Sequence, residues 1–276
     1  MPQSTRLYRR PAFVFGPPLV MAFAGVLLLL QAAFGAGQLG VVQSRLAEFA
    51  EATAPTFSIR SSDWMRVKLN DPNSVFVVVN KQRQINPKKF APNDLIKVES
   101  SETLDNSRKL VLSVAAAKAL EEMSKGLSAA GEGKLFLNSA YRSYDIQADL
   151  FISKAKQYGK AEALLRSARA GHSEHQTGLA ADVSVPEQGC AILACFGNTS
   201  AGKWIQENSW RYGFIVRYLD STTAITGYSY EPWHLRYVGL EVARLYNESG
   251  IQTLEEFWGL PAAPDYSSET TESTSN

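Results

Sequence analysis

Residues 171–182, GHSEHQTGLAAD, form the densest polar segment of the chain and contain two of its three histidines. The third histidine, His234, lies in the segment YEPWHLRY at residues 230–237. Imidazole and carboxylate groups are the usual ligands of zinc in proteins, and a catalytic zinc site keeps three protein ligands and one open position. His175, Asp182 and His234 are therefore candidate ligands of one zinc ion.

The spacing between His175 and Asp182 restricts the local fold. On a continuous helix the two side chains would lie two turns apart, about 10 Å, which is too far to share an ion. A loop that turns at Gly178 and enters a strand would bring them together. Glu231, three residues before His234, is placed to act as a general base beside such a metal. The spacing alone is a loose pattern, since structural histidines and an ordinary ion pair at Glu231 would also fit it.

The composition excludes several classes of protein. The chain has 276 residues with 28 Lys+Arg against 27 Asp+Glu, so its charge gives no sign of a nucleic-acid binder. Two cysteines, Cys190 and Cys195, are too few for a disulfide-dense scaffold or a four-cysteine zinc finger. We expect them to form a disulfide if the domain lies outside the cytoplasm, and two buried thiols are the alternative.

The N-terminal region predicts a membrane segment. Residues 11–44 contain no charged side chain and follow three arginines in the first ten residues. Residues 19–39 are long enough to cross a bilayer, and the basic flank predicts that residues 1–18 are cytoplasmic. We therefore expect a single-pass anchor, then a stalk at residues 40–72, with the rest of the chain outside the cell membrane. A cleaved signal peptide followed by secretion is the alternative.

The remaining pattern mixes short strands with helices and lacks regular βαβ alternation, which predicts an α+β fold with a small, mainly antiparallel sheet flanked by helices. Apolar, β-branched runs predict strands at 74–81, 135–139, 214–218 and 233–238. Helical spacing of apolar residues predicts helices at 111–130, 145–158, 202–212 and 240–247. We expect the folded domain at 73–248, then a C-terminal helical segment and a disordered tail within 249–276, with the tail starting at residue 261.

Three separated blocks carry a family resemblance: SAYRSYDIQ at 139–147, SEHQTGLAAD at 173–182 and EPWHLRYVG at 231–239. In content, order and spacing they resemble the signature blocks of the VanY-type D-alanyl-D-alanine carboxypeptidases, peptidase family M15B. The resemblance extends over about residues 73–248. It implies a small α+β zinc-peptidase domain related in architecture to the hedgehog signalling domains.

The resemblance also implies roles for individual residues. The ligands of a single Zn²⁺ would be His175, Asp182 and His234, and Glu231 would be the catalytic base. Arg142 would bind substrate or stabilise the developing oxyanion, Gln147 and Ser173 would hold the terminal part of the peptide, and Trp233 would form part of the site wall. His172 departs from the family pattern, and we expect it at the rim or surface.

The implied activity is removal of the terminal D-Ala from peptidoglycan stem peptides. An L,D-carboxypeptidase acting on tetrapeptide stems, a peptidoglycan endopeptidase and a non-catalytic cell-wall-binding zinc module are alternatives. Glu231 and Arg142 together favour an enzyme, because a binding module needs no general base. We expect a monomer whose partners are the stem peptides and the membrane, with no nucleic acid.

Overall fold

The computed structural model describes residues 68–267 of the chain. Within that range no helix is both long enough and apolar enough to cross a bilayer. The predicted anchor at residues 19–39, its cytoplasmic flank and most of the stalk lie outside the described residues.

The fold is α+β, as predicted, and is built on two small sheets. The strands are β1 (Leu95–Lys97), β2 (Leu104–Asp105), β3 (Val111–Ser113), β4 (Leu135–Ser139), β5 (Ala180–Ser184), β6 (Phe214–Tyr218) and β7 (Glu231–Tyr237). The main sheet has five strands in the order β2-β4-β5-β7-β6, and β1 pairs with β3 in a two-stranded sheet. The pairing of β2 with β4 is parallel, so the main sheet is mixed, while its other pairs are antiparallel.

Seven α-helices connect and cover these strands in the described part of the chain. They are α1 (Val114–Ala129), α2 (Tyr144–Tyr158), α3 (Lys160–Arg166), α4 (Ser200–Asn208), α5 (Thr223–Thr226), α6 (Leu240–Ser249) and α7 (Leu254–Phe257). Strands β4 and β6 are confirmed, and β7, α2 and α6 differ from the prediction by only one or two residues at their ends. The predicted helix at 202–212 divides into α4 and a 3₁₀ turn at Ser209–Tyr212.

Helix α1 supplies much of the core against the main sheet. Its residues Ala116, Leu120, Met123 and Leu127 are fully buried, and their spacing places them on one face of the helix. The helix begins at Val114 instead of the predicted residue 111. The physical reason is that the preceding three residues pair with β1 as strand β3, and that Ser113 caps the helix by accepting from a backbone N–H.

The predicted strand at 74–81 is wrong, because within residues 68–267 this segment pairs with no strand and forms only one isolated bridge at its end. Val77, Val78 and Val79 are nevertheless buried, and Val75 is half-buried. The backbone carbonyl of Val77 accepts from Arg236 Nη2 at 2.6 Å, and that of Val78 accepts from Arg83 Nε at 3.1 Å. Arginine side chains thus satisfy carbonyls that a strand partner would otherwise have to satisfy.

The predicted disordered tail is ordered at its start, residues 261–267. Ala263 is fully buried, and its backbone N–H donates to a carbonyl in helix α5 at 2.7 Å. Lys81 Nζ donates to the carbonyl of Pro264 at 2.9 Å. The apolar content of this stretch is low, so its order comes from these polar contacts, which composition does not reveal. Residues 268–276 lie outside the described range.

Candidate metal centre and active site

A tight turn places the first histidine of the candidate metal centre. His175 lies in a 3₁₀ turn, Glu174–Thr177, which ends at Gly178 in the left-handed conformation with φ of 69°. A Cβ atom at Gly178 would lie 2.8 Å from a side-chain carbon of Leu95, so only glycine fits both the conformation and the space. Strand β5 follows directly, and the predicted turn into a strand is confirmed.

Sheet register brings the other two residues together. Asp182 on β5 and His234 on β7 are direct register partners in the antiparallel pair. Facing positions in such a pair lie about 4.5–5.5 Å apart. The long separation in sequence is therefore closed by backbone pairing, and the side chains need no special conformation to meet.

The resulting group of side chains fits a metal ion. One ligand atom from each of His175, Asp182 and His234 lies within 4.8 Å of the others. Asp182 Oδ2 is 3.3 Å from His175 Nε2, and its Oδ1 is 3.1 Å from His234 Nδ1. Ligand atoms of a tetrahedral zinc, at bonds of about 2.1 Å, are separated by about 3.4 Å. Asp182 Oδ1 is also buried without a hydrogen bond of good geometry, which is the environment of a carboxylate oxygen aimed at a cation.

Each histidine is oriented by a hydrogen bond from its other ring nitrogen. His175 Nδ1 donates to the carbonyl of Ala140 at 2.7 Å. His234 Nε2 faces Glu174 Oε2 at 3.3 Å. Because a carbonyl and a carboxylate only accept, the neutral rings carry their protons on His175 Nδ1 and His234 Nε2. The lone pairs of the neutral rings, on His175 Nε2 and His234 Nδ1, then face the metal centre.

Carboxylates crowd around this centre and raise the pKa of the groups beside them. Burial would lower the pKa of His234, but hydrogen bonds to Asp182 and Glu174 raise it to about 9. Burial raises the pKa of Glu231 to about 8, and the nearby Asp182 adds to that rise. Carboxylates crowded in this way are stabilised by a divalent cation. The donor set, its geometry and its charge therefore fit one zinc ion.

Glu231 lies at the edge of the metal centre, at the start of β7. Its Oε2 is 3.8 Å from His234 Nδ1. The carboxylate and the three candidate ligands line a cleft of about 460 Å³. A carboxylate in this position can exchange protons with a water molecule or an amine next to the metal.

Arg142 reaches into the same cleft from the loop before α2. Its Nη1 lies 3.7 Å from Asp182 Oδ2, and its Nε donates to Gln147 Oε1 at 3.1 Å. Gln147 is fully buried, and its Nε2 donates to Ser167 Oγ and the carbonyl of Ala168. The expected contact of Gln147 with the peptide does not fit this geometry, because protein groups occupy both ends of its amide. Gln147 instead orients Arg142.

The remaining predicted site residues are also placed by the structure. Ser173 and Trp233 line the cleft. His172 is outside the cleft lining and is half-buried against Tyr266, with ring centroids 4.9 Å apart. Cys190 and Cys195 form a disulfide, and the short loop that it closes brings Ile192 to the cleft.

Comparison with known proteins agrees with this arrangement. The family model of the VanY D-alanyl-D-alanine carboxypeptidases matches residues 109–240. The protein YodJ of Bacillus subtilis (strain 168), whose name assigns it to the carboxypeptidases, is 38% identical over 191 residues, which is 69% of each chain. The chain belongs to the VanY family.

Two solved structures show the same fold as this VanY-family domain. The LdcB LD-carboxypeptidase is 37% identical with a TM-score of 0.60, over 68% of this chain and 87% of that chain. The D,D-pentapeptidase VanY from a VanB-type resistance cassette, solved as a variant with Zn(II), is 32% identical with a TM-score of 0.55, over 66% and 97% of the two chains.

A buried charge network that was not predicted from the sequence supports the metal centre of this VanY-family member. Glu174 Oε1 accepts from Arg217 Nε and from Arg236 Nη1, both at 2.9 Å, and Arg217 also pairs with Glu255. Burial would raise the pKa of Glu174, but the two guanidinium groups hold it well below its usual range. The available signal was an arginine inside each of two strands, FIVRY and EPWHLRY, of which the first is otherwise apolar.

Proposed function

We propose that this chain is a zinc-dependent D-alanyl-D-alanine carboxypeptidase that removes the terminal D-Ala from peptidoglycan stem peptides. The observation that carries the proposal is the buried set of His175, Asp182 and His234, which opens into the cleft beside Glu231. A related VanYB, 31% identical and covered over 96% of its length, was solved with D-Ala-D-Ala. This relative supports the choice of substrate.

Glu231, Arg142 and Gln147 have separate roles in the proposed hydrolysis. Zinc, when bound, supplies a Lewis acid that makes water acidic near neutral pH and polarises the scissile carbonyl. Glu231 is placed to accept the proton of the attacking water and to pass it to the amine of the departing D-Ala as the C–N bond breaks. Arg142, held by Gln147, offers a fixed cation to negative charge on the carbonyl oxygen or on the terminal carboxylate.

A second candidate is L,D-carboxypeptidase activity on tetrapeptide stems. It is favoured by one observation, the similarity to LdcB, whose TM-score of 0.60 exceeds the 0.55 of the VanY variant. The two activities need the same metal centre and base, and they differ in how the cleft accepts the residue before the scissile bond.

The cellular setting is also proposed. Residues 19–39 support a membrane anchor by their length and apolar character, which would hold the catalytic domain outside the cell membrane. One chain supplies all three candidate ligands and the base, so a monomer is sufficient for the reaction.

The test is mass analysis of synthetic penta- and tetrapeptide stems after incubation with the zinc-loaded full chain. We expect the pentapeptide to lose one D-Ala. A Glu231→Gln variant should lose about 10³-fold in turnover while it still binds one equivalent of zinc. Loss of D-Ala from the tetrapeptide alone would support the second candidate. Unchanged masses of both peptides would contradict an enzymatic role.

A further inference from the structure

The cleft carries more positive charge than one terminal carboxylate requires. Four cationic side chains line it, namely Arg108, Arg142, Lys154 and Arg166. The acidic groups of the lining are Asp182 and Glu231 at the metal centre, and Glu174, which is neutralised by buried arginines. Arg142 is already next to the metal centre. Three cations line other parts of the cleft, and one of them, Arg166, is paired with Glu162.

Lys154 is the best placed of these three cations. It lies on α2, and its Nζ is 5.4 Å from the centroid of the Tyr158 ring. No carboxylate of residues 68–267 forms an ion pair with it. It lines the same cleft as Arg142 and Glu231.

The other two cations are held in fixed positions around the cleft. Arg166 contacts the same Tyr158 ring, at 5.5 Å from the centroid, and is steadied by Glu162. Arg108 comes from a different part of the chain, where its Nη1 donates to the carbonyl of Asn138 at 2.8 Å. It too has no carboxylate partner in the described range. Cations that lack partners at a cleft wall attract anionic groups of a ligand.

Resting on the proposed function, we propose that Lys154, with Arg108 and Arg166, forms a second anion-binding site that takes a carboxylate on a stem-peptide residue upstream of the scissile bond. Stem peptides offer this group on a γ-linked glutamate or on diaminopimelate, and amidation of either removes the charge. The enzyme should therefore prefer stems that keep the carboxylate free. An ammonium group binds such an anion as a point charge, without the planar geometry that a guanidinium imposes.

Three synthetic pentapeptides ending in D-Ala-D-Ala test the site with the full chain. The first keeps both upstream carboxylates, the second is amidated at glutamate and the third at diaminopimelate. With the wild type, one of the two amidated peptides should show a kcat/KM for D-Ala release about tenfold lower, mainly because KM rises. Which peptide is affected identifies the carboxylate that binds. With Lys154→Met the ratio between free and amidated peptide should fall to about one, and Lys154→Arg should restore part of it.

The matched control is Lys156→Met, because Lys156 is exposed on the same helix and is not part of the cleft lining. It should keep the wild-type ratio. Equal cleavage of all three peptides by the wild type would overturn the site. A Lys154→Met variant that slows all three by the same factor would also overturn it, because Lys154 would then act on the terminal carboxylate or on Glu231. Cleavage of none of the peptides would contradict the proposed function, and this site with it.

Discussion

His234 Nε2 lies 3.3 Å from Glu174 Oε2. This buried carboxylate therefore orients the imidazole whose other nitrogen, Nδ1, faces the metal centre. The same carboxylate binds Arg217 and Arg236 through its other oxygen. Glu174 thus both orients a candidate metal ligand and neutralises charge on two buried arginines of the main sheet. Such partners of metal-binding histidines set both ring orientation and basicity.

Glu174→Gln should weaken zinc binding and destabilise the fold together. Zinc affinity should fall about 10–100-fold because His234 loses its anionic partner. Stability should fall by about 3 kcal/mol because two buried guanidinium groups lose a counter-charge. A competitive chelator titration and thermal unfolding measure the two effects. Glu248→Gln, which removes only an exposed pair with Arg244, should change neither, and unaltered zinc affinity in folded Glu174→Gln would refute the orienting role.

Gln147→Ala should reduce turnover without affecting the metal. The Arg142 guanidinium loses the Nε contact that aims it, and a misplacement of about 1 Å can cost about 100-fold in rate. Zinc stoichiometry should stay at one per chain. Because Gln147 acts through Arg142, adding Gln147→Ala to Arg142→Ala should cause no further loss of kcat. Additive losses in that double variant would instead favour a direct contact of Gln147 with the peptide.

The sequence predicted the site residues that lie within short motifs. It did not predict the side-chain contacts that depend on residues distant in the sequence. His175, Asp182, His234 and Glu231 are candidates from residue type and spacing alone, and a turn at Gly178 was the local condition for them to meet. The side chain of Gln147 could not be oriented from sequence, because the two acceptors of its Nε2 are 20 and 21 residues away.

The buried network shows the same limit for the fold. Arg217 joins Glu174 and Glu255 across separations of 43 and 38 residues, and no local pattern encodes such pairing. The valine run at 74–81 has the composition of a strand. Its backbone partners are arginine side chains, among them Arg236, so β-branched residues here indicate burial and not strand pairing.

Lys81→Met should release the segment at residues 261–267. Lys81 is buried, and its Nζ donates to the carbonyls of Gly227 at 2.7 Å and Pro264 at 2.9 Å. Methionine fills a similar volume but leaves both carbonyls without a donor, at a cost of about 3 kcal/mol. Hydrogen exchange should become faster in residues 261–267, and chemical denaturation should show the loss. Lys88→Met, at an exposed position, is the control, and protected amides in the Lys81 variant would contradict this anchoring.

Replacing both Cys190 and Cys195 by serine should alter the rim of the cleft and leave the metal centre unchanged. The loop between them contains Ile192, a β-branched residue at a left-handed φ of 56°, a conformation that the closed loop helps to maintain. Opening the loop should lower stability by about 2 kcal/mol in the chain-entropy estimate. Because Ile192 lines the cleft, KM for the stem peptide should rise more than kcat falls.

Zinc affinity of the double variant should be unchanged, since none of the three candidate ligands belongs to the loop. Reduced wild-type protein should behave like the double variant. A loss of zinc binding on reduction would show that the loop supports the metal centre itself.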